Sequence, residues 1–187
     1  MVWSLISWYF LLLGLGWLSF PLTFRLMNKL PDRGYALSRI LGLLLWGFVF
    51  WLFVNLGLLQ NTQNGILFGL AIVLGVSLWA GWGKWREIWG WIKSNWRLIL
   101  TTELVFLIGF GFMVLVRASD PDATGTEKPM ELAFINAVIN SITFPPHDPW
   151  LSGYAISYYH FGYILASLLA KITGVSGGMA FNLMLAA

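Results

Sequence analysis

The chain has 187 residues, of which 58% are hydrophobic and only 10% charged, and its mean hydropathy is +0.74. A soluble domain carries about a quarter charged residues, so composition excludes an ordinary soluble domain and points to an integral membrane protein. The absence of cysteine excludes disulfides and thiolate metal sites, and the net charge of +3 does not indicate nucleic acid, because the basic residues cluster beside apolar runs instead of forming a stripe.

The first apolar run covers residues 2–24. No Lys or Arg precedes it and no small-residue cleavage site ends it, so it reads as a retained anchor and not a signal peptide. Further runs of bilayer-crossing character cover 36–59, 65–82, 98–116 and 158–173. A sixth begins near Gly178 and stops at Ala187, about half the length a span requires. The expectation is therefore a fragment of a longer protein or a truncated reading frame, all-α, a polytopic helix bundle. It divides into a three-span region, 1–97, and a second region, 98–187.

Lys and Arg alternate between links. The link after the first run holds Arg25, Lys29, Arg33 and Arg39, and that after the third holds Lys84, Arg86, Lys93 and Arg97. The 60–64 link is uncharged, and the link after the fourth run holds Asp120, Asp122, Glu127, Glu131 and Asp148 against Arg117 and Lys128. The positive-inside rule then predicts a cell-membrane protein with an external N-terminus, two cytoplasmic basic links, an external loop over 118–157 and Lys171 on the cytoplasmic side. Several of the twelve tryptophans flank run ends, as interfacial indoles do. The Trp-rich basic stretch 84–95 reads as an amphipathic segment on the cytoplasmic interface, anchoring span ends. Gly14, Gly16, Gly42, Gly47, Gly109 and Gly111 are accounted for by close helix packing.

The external loop is long for a connection, and such loops tend to carry function. "SDPDATGTE" is an exposed turn region. A helix is predicted over 129–140, with Pro129 near its start, where a missing N–H costs nothing. Met130, Phe134, Ala137 and Val138 share one face of it, which would lie down on the outer membrane surface. "FPPHDPWLSGYAISYYHFGY" then returns the chain to the membrane. Pro146 and Pro149 bracket Asp148, which fits either a rigidly held carboxylate at the interface or an Asp capping a turn. Glu103, inside the fourth run, and Arg117, at its outer end, are intramembrane polar groups and so are functional or paired. His160 suits an interfacial hydrogen bond at a span start.

These motifs carry a resemblance. Glu127, Lys128, Pro129 and Met130, then Phe144, Pro145, Pro146, Asp148, Pro149 and Trp150, then Tyr158, Tyr159, Phe161 and Gly162 resemble the pattern of the prokaryotic membrane proteins named the YYY family. The resemblance covers about 102–187. Glu131 replaces the family's Asp, Ser157 its Asn and His160 its third Tyr. The layout is similar to C-type glycosyltransferases, which use polyprenyl-phosphate sugars and place an acidic external loop, a surface helix and a re-entrant stretch in this order. The resemblance implies a polyprenyl-phosphate sugar donor drawn from membrane lipid. It implies Glu127 as first choice for the catalytic base and Asp148 as second, positioning the acceptor or binding a divalent metal. Asp120, Asp122, Lys128, Trp150, Tyr158, Tyr159 and His160 are the implied substrate-binding residues. Two other classes keep the same topology: a transport or lipid-handling protein with Glu103 and Arg117 on its pathway, and a non-catalytic remnant.

Overall fold

A computed structural model describes residues 2–151 and 153–187 of the chain; Ser152, within the predicted 118–157 loop, lies outside them. All of its regular elements are helices: α1 (Val2–Leu26), α2 (Tyr35–Asn55), α3 (Gln63–Gly81), α4 (Trp85–Ser94), α5 (Trp96–Ser119), α6 (Lys128–Asn140), α7 (Phe161–Thr173) and α8 (Gly177–Ala186). Among the described residues, α1, α2, α3 and α5 are long and apolar enough to cross a membrane. Their ends fall within a few residues of the sequence expectation, because a run of about 20 apolar residues has to satisfy its backbone internally in lipid, and a helix does so.

α1, α2 and α3 form the packed centre. Trp8, Leu12 and Leu15 of α1 meet Trp46 and Phe50 of α2 and Ile66 and Val73 of α3, all buried. Polar ties reinforce the contact: the Trp46 indole N–H donates to the Ile66 carbonyl at 2.9 Å, and the Ser77 hydroxyl to the Leu18 carbonyl at 2.5 Å. The glycines divide. A Cβ on Gly42 would collide with the Ser19 hydroxyl, and one on Gly47 with a Leu165 methyl, so these two permit close helix approach. Gly14, Gly109 and Gly111 face open space, and close packing does not account for them.

The bundle has two faces. The α1–α2 turn and α4 lie at one end, called here the basic face. The Trp-rich segment predicted over 84–95 forms α4, whose Ile88 is buried against Phe20, Phe24, Tyr35 and Ile99. The 56–62 link, the start of α1 and the segment after α5 lie at the other end, the loop face. α5 stands at the edge of the bundle, touching α1 through Tyr9 stacked on Phe106 at 5.8 Å. Arg39, expected in the basic link, lies inside α2, and its Nη2 reaches Oε2 of Glu103 on α5 at 2.6 Å.

The fifth span departs from expectation. α7 has 13 residues, about 20 Å of helix against a hydrocarbon core of about 30 Å. Its first residue, Phe161, packs edge-on to Trp51 near the loop-face end of α2. In its last turn the Lys171 ammonium donates to the Asn61 carbonyl at 2.5 Å, and the Gln63 amide donates to the Lys171 carbonyl at 2.9 Å. Both ends of α7 are therefore tied to the loop face, and Lys171 does not reach the basic face. After Gly174, at φ 70°, the chain turns by 114° into α8. A pair bent in this way is a broken span or a re-entrant loop, and the ties of both α7 ends to the loop face fit the re-entrant form.

Candidate site at the loop face

α5 ends at Ser119 and the chain crosses the loop face to α6. Arg117 secures that crossing: its Nε donates to Asn182 Oδ1 at 2.7 Å and its Nη2 to the Asp122 carbonyl at 3.4 Å. The Asn182 amide in turn donates to the Pro121 carbonyl at 3.0 Å. Lys128 stands 3.9 Å from Asp120, an exposed pair of small energetic value. Asp122 is exposed.

Glu127 occupies the N-cap position of α6. It is exposed, and its carboxylate makes no capping bond, so the group is free to act at the helix mouth. Pro129 sits in the first turn as expected. The buried face of α6 is Phe134, Ile135 and Val138, and its cover is protein: Ile135 packs with Ala166 of α7 and Phe181 of α8. α6 thus lies on the α7–α8 pair, and not apolar face down on lipid. Gly177 lets α8 approach, since a Cβ there would collide with the Asn136 amide.

Phe134 is the hub of an aromatic wall. Its ring centroid lies 5.7 Å from Trp150, 5.8 Å from Tyr158 and 5.5 Å from Tyr163. Tyr158 and Tyr159 stack at 3.9 Å, and the Tyr158 hydroxyl donates to that of Tyr159 at 2.6 Å. That bond, with partial burial and the charges of Tyr159 and Glu127, raises the Tyr158 pKa to about 12. The charge of Glu127 adds to the rise at Tyr158 and to that at Tyr163. His160, at the N-cap position of α7, holds its Nδ1 3.0 Å from the Tyr158 carbonyl.

The Pro-rich return folds as a small turn. The Asp148 N–H donates to the Tyr154 carbonyl at 2.8 Å and the Ile156 N–H to the Pro146 carbonyl at 3.0 Å. Asp148 Oδ1 accepts the N–H groups of Trp150 and Leu151 at 2.8 and 2.9 Å, so one carboxylate oxygen caps the turn. Asp148 also borders a cleft of about 640 Å³ with Asn136, Asn140, Thr143 and His147. That cleft lies along the second half of α6. Nine residues of helix, about 14 Å, separate Glu127 from Asn136, so the two acidic candidates stand on different parts of the loop face. Among the described residues, no three His, Asp or Glu side chains converge as metal ligands.

Glu103 is remote from all of this, held on α5 near the basic face by Arg39 and by the Tyr35 hydroxyl at 2.8 Å. Fourteen residues of α5, about 21 Å, separate it from Arg117, so the two do not line one pathway. Sequence reasoning missed Asn61. It is buried, donating from Nδ2 to the carbonyls of Val138 and Ser141 at 2.6 and 2.7 Å, and it joins the 56–62 link to α6 and α7. A polar residue in an uncharged link gives no local signal of such a role.

The sequence matches, over residues 45–187, the family described as uncharacterized membrane protein (DUF2298), and the chain belongs to that family. The match begins inside α2, so it takes in α3 as well as the 102–187 stretch that carries the motifs. No curated protein and no solved structure matches the chain.

Proposed function

We propose that this member of the family takes part in sugar transfer from a lipid-linked phosphate donor at the loop face. The observation that carries the reading is Glu127: an uncapped, exposed carboxylate at the mouth of α6, whose charge is felt at Tyr158 and Tyr163. Such a group accepts the proton of an acceptor hydroxyl. The acceptor oxygen then bonds to the anomeric carbon, the bond from that carbon to the phosphate oxygen breaks, and the lipid phosphate leaves with the electron pair. Trp150, exposed against the buried Phe134, and the half-buried Tyr158 offer flat apolar faces to the C–H face of a sugar ring. Asp148, with one oxygen committed to its turn, shapes the neighbouring cleft and is the supporting group. The order of span, acidic loop, loop-face helix and bent helix pair favours the likeness to C-type transferases at the level of layout, although α6 rests on protein and not on lipid.

The test is Glu127→Gln in cells that carry the protein, reading transfer from a polyprenyl-phosphate sugar in their membranes. Loss of a general base lowers the rate by a factor of about 10² to 10⁴, with the amount of protein in the membrane unchanged. Normal transfer by the variant overturns the assignment.

A further inference from the structure

Arg117 has a second environment that the loop contacts do not use. Beside it, Leu5 of α1, Val114 and Ala118 of α5, and Met179 and Leu183 of α8 wall a groove of about 330 Å³. The walls are apolar and the guanidinium stands at the loop-face end of α5. Among the described residues, only Nε and Nη2 have protein acceptors, one an amide oxygen and the other a backbone carbonyl. Among the described residues no carboxylate lies within 4.0 Å of the guanidinium. A full positive charge is thus held in place with most of its five donors free, above a greasy slot. The first turn of α8 adds to the same end. Ser176 takes the Met179 N–H on its hydroxyl and the Ala180 N–H on its carbonyl, leaving the Gly177 and Gly178 N–H groups to the helix mouth.

We propose that this groove binds one phospholipid, its phosphate on Arg117 and a hydrocarbon chain between α5 and α8. Charge complementarity selects the occupant: a planar guanidinium with free donors matches a phosphate bidentately. The level agrees too, because lipid headgroups lie where spans end. The inference does not depend on sugar transfer.

The experiment is native mass spectrometry of the full chain in neutral detergent, titrated with phosphatidylglycerol, with diacylglycerol, and with phosphatidylglycerol plus excess inorganic phosphate. One phosphatidylglycerol is expected to be retained in preference to diacylglycerol, and inorganic phosphate is expected not to displace it. Arg117→Gln should weaken that binding about tenfold or more, the effect of losing charged hydrogen bonds. Arg97→Gln, at the other end of α5, should leave it unchanged. Met179→Trp keeps the cation but fills the groove, and should also weaken binding; it decides the matter if Arg117→Gln does not fold. Equal retention of diacylglycerol, displacement by inorganic phosphate, or undiminished binding by Met179→Trp each overturns the proposal.

Discussion

Arg39 and Glu103 lie 64 residues apart in sequence and 2.6 Å apart in space, joining α2 to the edge helix α5. The guanidinium carbon also sits 3.7 Å from the centre of the Phe106 ring, and the Tyr35 hydroxyl takes the other carboxylate oxygen. α5 has few other anchors on the central three helices, so this pair holds it in register. Breaking a charged hydrogen bond costs about 1.5–3 kcal/mol, and Glu103→Gln is expected to lower unfolding stability in mixed micelles by about 2 kcal/mol. Replacing both residues by Met should recover much of the loss, since no unpaired charge then remains. Additive losses in the double variant would show that the two residues act separately.

The fold-back of α7 makes a labelling prediction. Single cysteines at Gln60, Thr124 and Ser176 should react with an impermeant thiol reagent from one side of intact cells, and one at Asn28 only from the other. The positive-inside count assigns Gln60 and Thr124 to the outside, and the fold-back of α7 puts Ser176 with them. Ser176 is the decisive position, because a spanning α7 would move it to the side of Asn28. Labelling of Ser176→Cys together with Asn28→Cys would reject the re-entrant hairpin.

Asn61 ties three segments at the loop face, and Asn61→Ala removes two buried side-chain hydrogen bonds at once. The expected cost is about 1–3 kcal/mol, because the Val138 and Ser141 carbonyls are left without their donor. Proteolysis of the 141–157 return should accelerate in the variant, since the bond from the Asn61 N–H to the Ile142 carbonyl is then left to tie that segment to the 56–62 link without the side-chain bond to Ser141. Unchanged stability and unchanged proteolysis would remove Asn61 from the framework.

Tyr158 supplies a pH prediction. Its hydroxyl donates to Tyr159, and its pKa is raised to about 12. The folded protein therefore holds this proton more tightly than the unfolded chain, whose tyrosines titrate near 10. The stabilisation is complete below about pH 10 and fades as pH rises from about 10 to about 12. In an ultraviolet titration, Tyr159→Phe should move the Tyr158 transition down toward the ordinary value. A transition that stays near 12 in that variant would assign the shift to burial and neighbouring charge instead of the hydrogen bond.

The sequence by itself determined the four long helices, the amphipathic α4 and the start of α6. Each is a local property: length and apolarity for the spans, basic and Trp-rich patterning for α4, and Pro129 in the first turn of α6. What it could not determine are the partners of its polar residues. Lys171 was assigned to the basic face by counting charges, yet it finds the Asn61 carbonyl 110 positions away. Glu103 announced itself as a costly charge within a span, but only the packing of α5 beside α2 named Arg39 as its partner. Asp148 was balanced between a poised carboxylate and a turn cap, and the folded return commits one of its oxygens to Trp150 and Leu151. The fate of α7 follows the same division. Its apolar composition suits a crossing, and the tertiary structure turns it back because 13 residues are too few to cross and both ends are claimed at one face.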